Sequence, residues 1–552
     1  MCADLAHGSI AVEREPARVR ASRLLGVVLL IGLGVVLVEI MLEAWVQEVL
    51  GDRGVDPSTP IVTFVGGVPT WPKVVKNGMV IALVSTAALK ITLERRWREF
   101  TTAADVAVVV VGGVMAVAGF VNDASPTIVA EALFVYFRGA AAFYVVRALA
   151  PTWRRFTPVL WVGGVVLGVS LLVAFVQLVA GTPAYEAVGW VDLRFARIDR
   201  AQGLFDHPNN LGHVLAFVAM GVAAWMTGMP RPGWRWWVVL GVVAAGLAAS
   251  QSRESLLGTV VGIVVIWSLR RQGGRTAVIA IAIIGALFLG HLFVRPGNLA
   301  VLSDRLAGVV SAVETPSGTE DCAEFETNNE CIQQGRVQPR ESRVLFYQQG
   351  VELLAKQPLL GYGVGHFGGI VAETNDPDWD RHPRFGPGGF DLHDYDGTTV
   401  DSFWLHLAVE TGLLGLLAYL VWLALITRPL VRSTRRFARG GQRGSAVRST
   451  QTTGESIDPV STASSAHPAV YWAVSAVVFA GIAGFLSSSL ENPIFPFVFF
   501  GIMGLGWVMN RQDVSVHAEA TSTSGPTSHE APTPDGTRAA AHGVQGQRGP
   551  AR

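Results

Sequence analysis

Apolar runs punctuate this chain from near its start almost to its end. They lie near 24–42, 74–93, 103–121, 127–149, 158–180, 209–228, 234–251, 254–270, 276–294, 402–426, 468–488 and 493–510. Their lengths are close to the roughly 18–20 residues a helix needs to cross a hydrocarbon core. The pattern predicts an all-α polytopic membrane protein with about twelve transmembrane helices. Run 127–149 carries Glu131 and Arg138, and two neighbouring runs flank Arg253.

The polar intervals have their own organisation. Segment 295–400 is expected as one large extracytoplasmic loop between helices nine and ten. Within it, apolar positions 344, 345, 347, 351, 353 and 354 recur at helical spacing. That predicts an amphipathic helix against the membrane, ending near Gln357-Pro358. Residues 1–23 form a tail. Segment 427–467, rich in Gly, Ser, Thr and Arg from 439 onward, is expected to be a disordered loop, and 511–552 a disordered tail. No internal repeat is visible.

Arg and Lys set the orientation. Arg14, Arg18, Arg20 and Arg23 precede the first run. Alternate connections then carry Arg95, Arg96 and Arg98; Arg147, Arg154 and Arg155; Arg231 and Arg235; Arg270, Arg271 and Arg275; and the run Arg428 to Arg448. With twelve spans these fall on one side, so both termini are expected in the cytoplasm. Segments 45–73, 181–208, 250–254 and 295–400 are then outside.

Composition agrees. Half of the 552 residues are hydrophobic and 16% are charged, which excludes a multidomain soluble chain of this length. The zero formal net charge is uninformative. Cys2 lies in the tail with no apolar region before it, which argues against a lipoprotein signal. Cys322 and Cys331 share the large loop, where a disulfide and two free thiols are both open readings.

Four polar elements on the predicted outer face could carry chemistry. The first is RAQGLFDHPNNLGH, Arg200 to His213, in which Pro208 and Asn209 suit a helix start. Arg200 there is an interfacial snorkelling residue or an anion ligand. SQSRESLLG, Ser250 to Gly258, sets Arg253 in a tight turn, as a partner for Glu254 or as an anion site. ESRVLFYQQGVELLAKQPLLGYGVGHFGG, Glu341 to Gly369, joins Arg343 on the amphipathic helix to a turn with Gly361, Gly363 and His366. No strand precedes that turn, so a dinucleotide site is not expected.

The fourth element is VDSFWLHLAVETGLLG, Val400 to Gly415. On an unbroken helix, positions 401, 412 and 415 lie within about 60° of one another, with Glu410 on the opposite face. Asp401 is a helix cap or a working carboxylate. Glu410 reads as an intramembrane pair or a site residue, and His406 as a packed polar residue or a catalyst. The acidic stretch Asn375 to Gly397 alternates oxygen ligands, but Arg381 stands where a calcium loop of the EF-hand kind needs Gly. It reads best as a solvated loop, and no metal or cofactor is expected.

In this order the four elements resemble the O-antigen ligase and O-antigen polymerase superfamily of bacterial envelope glycosyltransferases, over roughly residues 160–430. The resemblance implies a helical bundle of the GT-C kind in the cytoplasmic membrane of a bacterium. It also implies a polyprenyl-diphosphate-linked glycan as donor, a glycan acceptor, membrane lipid and other polysaccharide-export proteins as partners, and no nucleic acid. The ligases of this family carry His, then Asn, Ser or Gln, then nine residues and GxxG. Ser402, Gly412 and Gly415 fit, whereas Asp401 stands at the His position. That departure favours a polymerase of lipid-linked repeat units over a ligase. Arg200, Arg253 and Arg343 are expected to hold the diphosphate, and Asp401 to orient the acceptor hydroxyl and take its proton. Asn209, Ser402, Gly361, Gly363, His366 and Glu410 are expected to line the substrate site. A transporter or flippase is the competing reading, though two repeated halves with interrupted helices are not seen.

Overall fold

A computed structural model describes residues 17–50, 71–229, 231–270, 273–294, 342–386, 389–390, 400–448 and 466–523. Cys322, Cys331, Asp391, His393, Asp394 and Asp396 lie outside the described residues, as does most of the large loop. The chain divides into two compact units, Met1–Arg511 and Gln512–Arg552. The first holds the helical bundle and every candidate site residue.

Every predicted apolar run is helical. The helices are α1 Ala17–Leu50, α2 Trp71–Glu94, α3 Ala103–Val121, α4 Pro126–Phe137, α5 Ala140–Leu149, α6 Trp153–Ala180, α7 Thr182–Val188, α8 Arg194–Arg197, α9 Pro208–Met226, α10 Trp234–Ser250, α11 Arg253–Arg270, α12 Gly273–Val294, α13 Ser342–Lys356, α14 Ile370–Asn375, α15 Phe403–Arg448, α16 Pro468–Leu486 and α17 Ile494–Thr523. No strand occurs among the described residues. Among the described residues, eight helices are long and apolar enough to cross a membrane, and nine if α4 and α5 count as one span bent by 58°. Helix α10 and the apolar part of α12 are shorter, and α11 carries Arg253, Glu254 and Arg270. The twelve expected runs thus correspond to thirteen helices, since run 127–149 is divided into α4 and α5, while length and apolarity alone qualify eight or nine crossings among the described residues.

Two expectations need correction. Helix α15 continues to Arg448, so residues 427–448, expected in a disordered loop, are helical; Arg, Leu and Ala in this stretch favour helix. Residues 511–523, expected in a disordered tail, are helical as well. The amphipathic helix expected from Arg343 to Lys356 is α13, one residue longer at its start.

Local sequence explains several helix starts. His207 and His467 each precede a proline at the first helical position, and each imidazole Nδ1 accepts from the amide two residues on. Thr102 and Asp105 form a capping box on α3. The bend between α4 and α5 falls at Arg138-Gly139, where a Cβ on Gly139 would lie 2.8 Å from the Pro496 backbone. Helix α15 packs on α3 and α16, while α9 packs on both α10 and α11.

Candidate active site

The segment 200–207 is irregular, and several of its backbone groups are paired with side chains. Gln177 Oε1 on α6 accepts from the amides of Gln202 and Gly203 at 3.2 and 2.7 Å, and Ser170 Oγ accepts from Leu204 at 3.0 Å. Trp190 Nε1 donates to the Gly203 carbonyl at 3.0 Å. Held in this way, Arg200 donates from Nε to the Ser250 carbonyl at 3.1 Å and from a terminal nitrogen to Asn209 Oδ1 at 2.6 Å. One guanidinium therefore ties the loop to the start of α9 and to the end of α10, three residues before Arg253.

The tight turn at Arg253 is present. Helix α10 ends at Ser250, Gln251 takes a left-handed conformation with φ of 52°, and α11 begins at Arg253. Arg253 is exposed, and the neighbouring Glu254 is buried. Glu254 Oε1 meets His213 Nε2 at 2.7 Å, so Glu254 pairs with α9. Gly212 permits this approach, because a Cβ there would lie 2.6 Å from Ser252 Cβ.

Contacts continue to the fourth element. Ser489 Oγ lies 3.5 Å from His213 Nε2 and also meets Ser487 Oγ. The Ser487 carbonyl accepts from the Phe403 amide at 3.1 Å. Ser402 Oγ is 2.7 Å from the hydroxyl of Tyr347, one turn along α13 from Arg343. The segments bearing Arg200, Arg253, Arg343 and Asp401 thus meet at one end of the bundle. The Arg343 side chain itself lies outside the described residues, and Asp401 is half-buried just before α15.

Helix α15 is not regular. Gly412 has φ of 65° and ψ of −173°, and the turn after α13 fills the break. Leu413 and Leu414 donate to the carbonyls of Pro358 and Leu359 at 2.8 and 3.3 Å, while Tyr362 and Gly363 donate to those of Val409 and Glu410 at 2.9 and 2.8 Å. Backbone groups released by the broken helix are in this way paired with the glycine-rich turn. Two expectations change. The helical-wheel relation among Asp401, Gly412 and Gly415 does not hold across the break, and what approaches Gly412 is the Leu359-Leu360 backbone, not a second helix. Gly361 and Gly363, expected to line the substrate site, have their amides bonded to Gln357 and Glu410 and serve to dock the turn.

Glu410 is also reassigned. It is 1% exposed. It accepts from the Tyr136 hydroxyl at 2.9 Å and from the amides of His366 and Phe367 at 3.0 and 3.2 Å. His406 Nε2 is 3.2 Å away, too far off line for a hydrogen bond. On its other side His406 Nδ1 meets the Glu491 carboxylate, and the Glu491 carbonyl accepts from Arg138. Glu410 is enclosed by protein partners and contributes by position. His366 is half-buried, and its Nδ1 donates to the Tyr362 carbonyl at 3.1 Å. Burial, with the Arg384 charge adding to it, holds its imidazole below the ordinary histidine range.

Sequence reasoning missed Glu491, Tyr136, Arg138, His213 and Glu254 as members of this network. The one signal within reach was the spacing of His406 and Glu410, four residues apart on one helix face. No group of three or more His, Cys, Asp or Glu able to hold a metal occurs among the described residues.

An all-α, multi-pass membrane protein with a polar network at one end of its bundle is the class that this fold and site define. Residues 238–420 match the family model described as O-antigen ligase, so this part of the chain is similar to the O-antigen ligase-like superfamily. The match spans the Arg253 turn, α13, the glycine-rich turn and the first part of α15, and leaves the Arg200 segment outside. The match supports glycan transfer of the O-antigen ligase or polymerase type in general, with a lipid-linked donor and an acceptor. No curated protein matches the chain.

Proposed function

We propose that the protein polymerises polyprenyl-diphosphate-linked oligosaccharide repeat units into a surface polysaccharide on the outer face of a bacterial cytoplasmic membrane. The observation that carries this reading is the contact chain from Arg200 through Asn209, His213, Glu254 and Ser489 to the segment beginning at Asp401. It makes a shared site for dispersed cations and one carboxylate geometrically reasonable.

In this reading Arg200, Arg253 and Arg343 hold the diphosphate of the donor. An acceptor hydroxyl attacks the anomeric carbon, and the bond from that carbon to the diphosphate oxygen breaks. Polyprenyl diphosphate leaves with the electron pair, and the hydroxyl proton passes to Asp401. By family analogy the configuration inverts. Guanidinium groups fixed in place need little reorganisation as charge grows on the leaving group, and such groups typically contribute several kcal/mol. Asn209 keeps Arg200 in position, Ser402 orients the start of α15, and His366 flanks the site as a neutral donor or acceptor.

A ligase that moves a finished glycan to another lipid, a wall polymer or a protein is the second reading, favoured by the description of the matched family. Purified full-length protein is incubated with a defined lipid-linked repeat. A ladder of product lengths supports the polymerase, and a single transfer to an added acceptor supports the ligase. If neither appears while lipid-linked repeats are moved across vesicles, glycosyl transfer is the wrong class.

A further inference from the structure

Asp206 is a carboxylate that the glycan-transfer reading does not use. It stands between two anchored neighbours: Phe205 is buried, and the His207 ring packs edge-on against Phe195 with centroids 4.7 Å apart. Asp206 itself is exposed. Even so, burial is the largest influence on its carboxyl and raises it above the ordinary carboxylate range, with the Glu43 charge adding to the shift. Accessible on one side and crowded by protein on the others, this carboxylate lies in a recess. An acid placed before α9 only to meet the helix dipole would stay hydrated and feel no such burial.

The recess lies between the Arg200 segment and the connector that reaches α15. Asn209 Oδ1 accepts from Arg200 at 2.6 Å, and the next residue, the buried Asn210, donates to Asp206 Oδ1. Two consecutive asparagines at the start of α9 thus hold a cation and a carboxylate. From the other side, Asn492 Oδ1 accepts from the Ile494 amide at 3.1 Å, which leaves its NH2 to donate to Asp206. Asn492 belongs to the connector whose Ser487 carbonyl accepts from Phe403, two residues after Asp401. With the His207 amide, Asp206 has three donors. A carboxylate offers roughly four lone-pair sites, so one remains on the exposed side.

An ionised carboxylate only accepts hydrogen bonds, so its remaining partner is a donor. A diphosphate is repelled by Asp206 and belongs with Arg200. The group covalently next to a diphosphate held there is the first sugar of the glycan, and its hydroxyls are the donors within reach. We propose that Asp206 accepts a hydrogen bond from a hydroxyl of the sugar attached directly to the lipid diphosphate, and so helps to select that sugar. The proposal rests on the glycan-transfer reading and adds to it a sugar contact on the loop that carries Arg200.

The test uses the full chain in lipid nanodiscs and two probes. One is the lipid-linked repeat unit extracted from the host strain lacking this gene, and the other is sugar-free polyprenyl diphosphate. The variants are Asp206→Asn and Asp206→Ala. Asp206→Asn keeps an oxygen for Asn210 but turns an NH2 toward the recess. Each variant is expected to bind the glycosylated lipid roughly tenfold or more weakly than wild type, as for loss of a hydrogen bond to a charged group. Sugar-free lipid should bind as tightly as to wild type or more tightly, because a negative charge near the diphosphate is gone. That retained binding also certifies the fold. Variants that keep the wild-type preference for the glycosylated lipid overturn the assignment and leave the glycan-transfer reading in place. Variants that lose both lipids equally also overturn it, since the carboxylate then supports the fold and not the sugar. So does wild type that binds the two lipids with equal affinity, because the sugar then contributes nothing. Wild type that binds neither lipid overturns the glycan-transfer reading, and the sugar contact with it.

Discussion

Glu410 on α15 accepts the backbone amide of His366 at 3.0 Å and, through the same oxygen, that of Phe367 at 3.2 Å. A carboxylate inside a membrane helix thus anchors the glycine-rich turn, and Tyr136 closes the arrangement from α4. Glu410→Ala strands three donors in a buried place, at a cost of about 1–3 kcal/mol each. The variant is expected to show low yield and a thermal midpoint well below wild type. Glu410→Gln keeps one acceptor oxygen and should fall between the two. Size-exclusion profiles after stepwise heating give the order, and a wild-type midpoint for Glu410→Ala would remove the anchoring role.

Gly412 sits in a backbone region open almost only to glycine. A Cβ there would lie 2.6 Å from the Leu360 amide nitrogen, and that backbone is fixed by four hydrogen bonds to α15. Gly412→Ala is expected to destabilise by about 2 kcal/mol or more. Gly78 is helical with open space around a Cβ, so Gly78→Ala should be neutral or stabilising by up to about 1 kcal/mol. Equal thermal midpoints for the two variants would contradict this account of the break.

Runs of bilayer length are a one-dimensional signal, which is why each apolar run was legible as a helix. The start and end of α13 were legible for a similar reason, since periodicity begins near Arg343 and Pro358 stops it. The break at Gly412 was not, because its cause is the backbone of Leu359 and Leu360, some fifty residues earlier in the chain. An unbroken wheel therefore assigned the wrong neighbour to Gly412. Glu491 was invisible for the same reason: in SSSLENP it has no period, and its partner His406 lies far from it in sequence, on α15. The continuation of α15 past Thr427 was hidden by the Gly, Ser and Thr content that starts further on, at 439.

Arg147 and Asp105 form a buried pair with contacts of 2.5 and 3.2 Å. Arg147 also donates to the Glu99 carbonyl at 2.7 Å and lies over the rings of Phe100 and Trp507. Asp105 is about 21 Å along α3 from Gly119, which packs on Val364 next to the glycine-rich turn. The pair is therefore structural and remote from the candidate site. Arg147→Met should cost about 3–5 kcal/mol by stranding Asp105, and adding Asp105→Asn should recover part of that. Specific activity per folded molecule should not change in either variant. A double variant that is no more stable than Arg147→Met alone would argue against the pairing.

Arg200 spans two acceptors on different elements, Ser250 and Asn209. A lysine ammonium is a single point and cannot reproduce both directions of a planar fork. Arg200→Lys is expected to retain charge and fold but to lower turnover by roughly 10²-fold, as for loss of one preorganised donor. Asn209→Ala should give a smaller loss in the same direction, since it frees Arg200 without removing it. Turnover with the lipid-linked repeat measures both. Wild-type rates in Arg200→Lys would mean that charge alone matters there and geometry does not.

His366 supplies a pH dependence whose sign follows from its surroundings. Burial and the nearby Arg384 hold its folded pKa below the ordinary value, which is about 6.5 for a free imidazole. The folded protein therefore binds this proton less readily than the unfolded chain does. Stability linked to the neutral ring is complete above about pH 6.5 and is lost as pH falls through the lower folded value. His366→Asn cannot charge and escapes this loss. Wild type and His366→Asn are expected to differ by a constant amount above pH 7, with the wild-type midpoint dropping faster as acid is added. Parallel curves from about pH 7.5 to 5 would show that the ring is as easily protonated folded as unfolded.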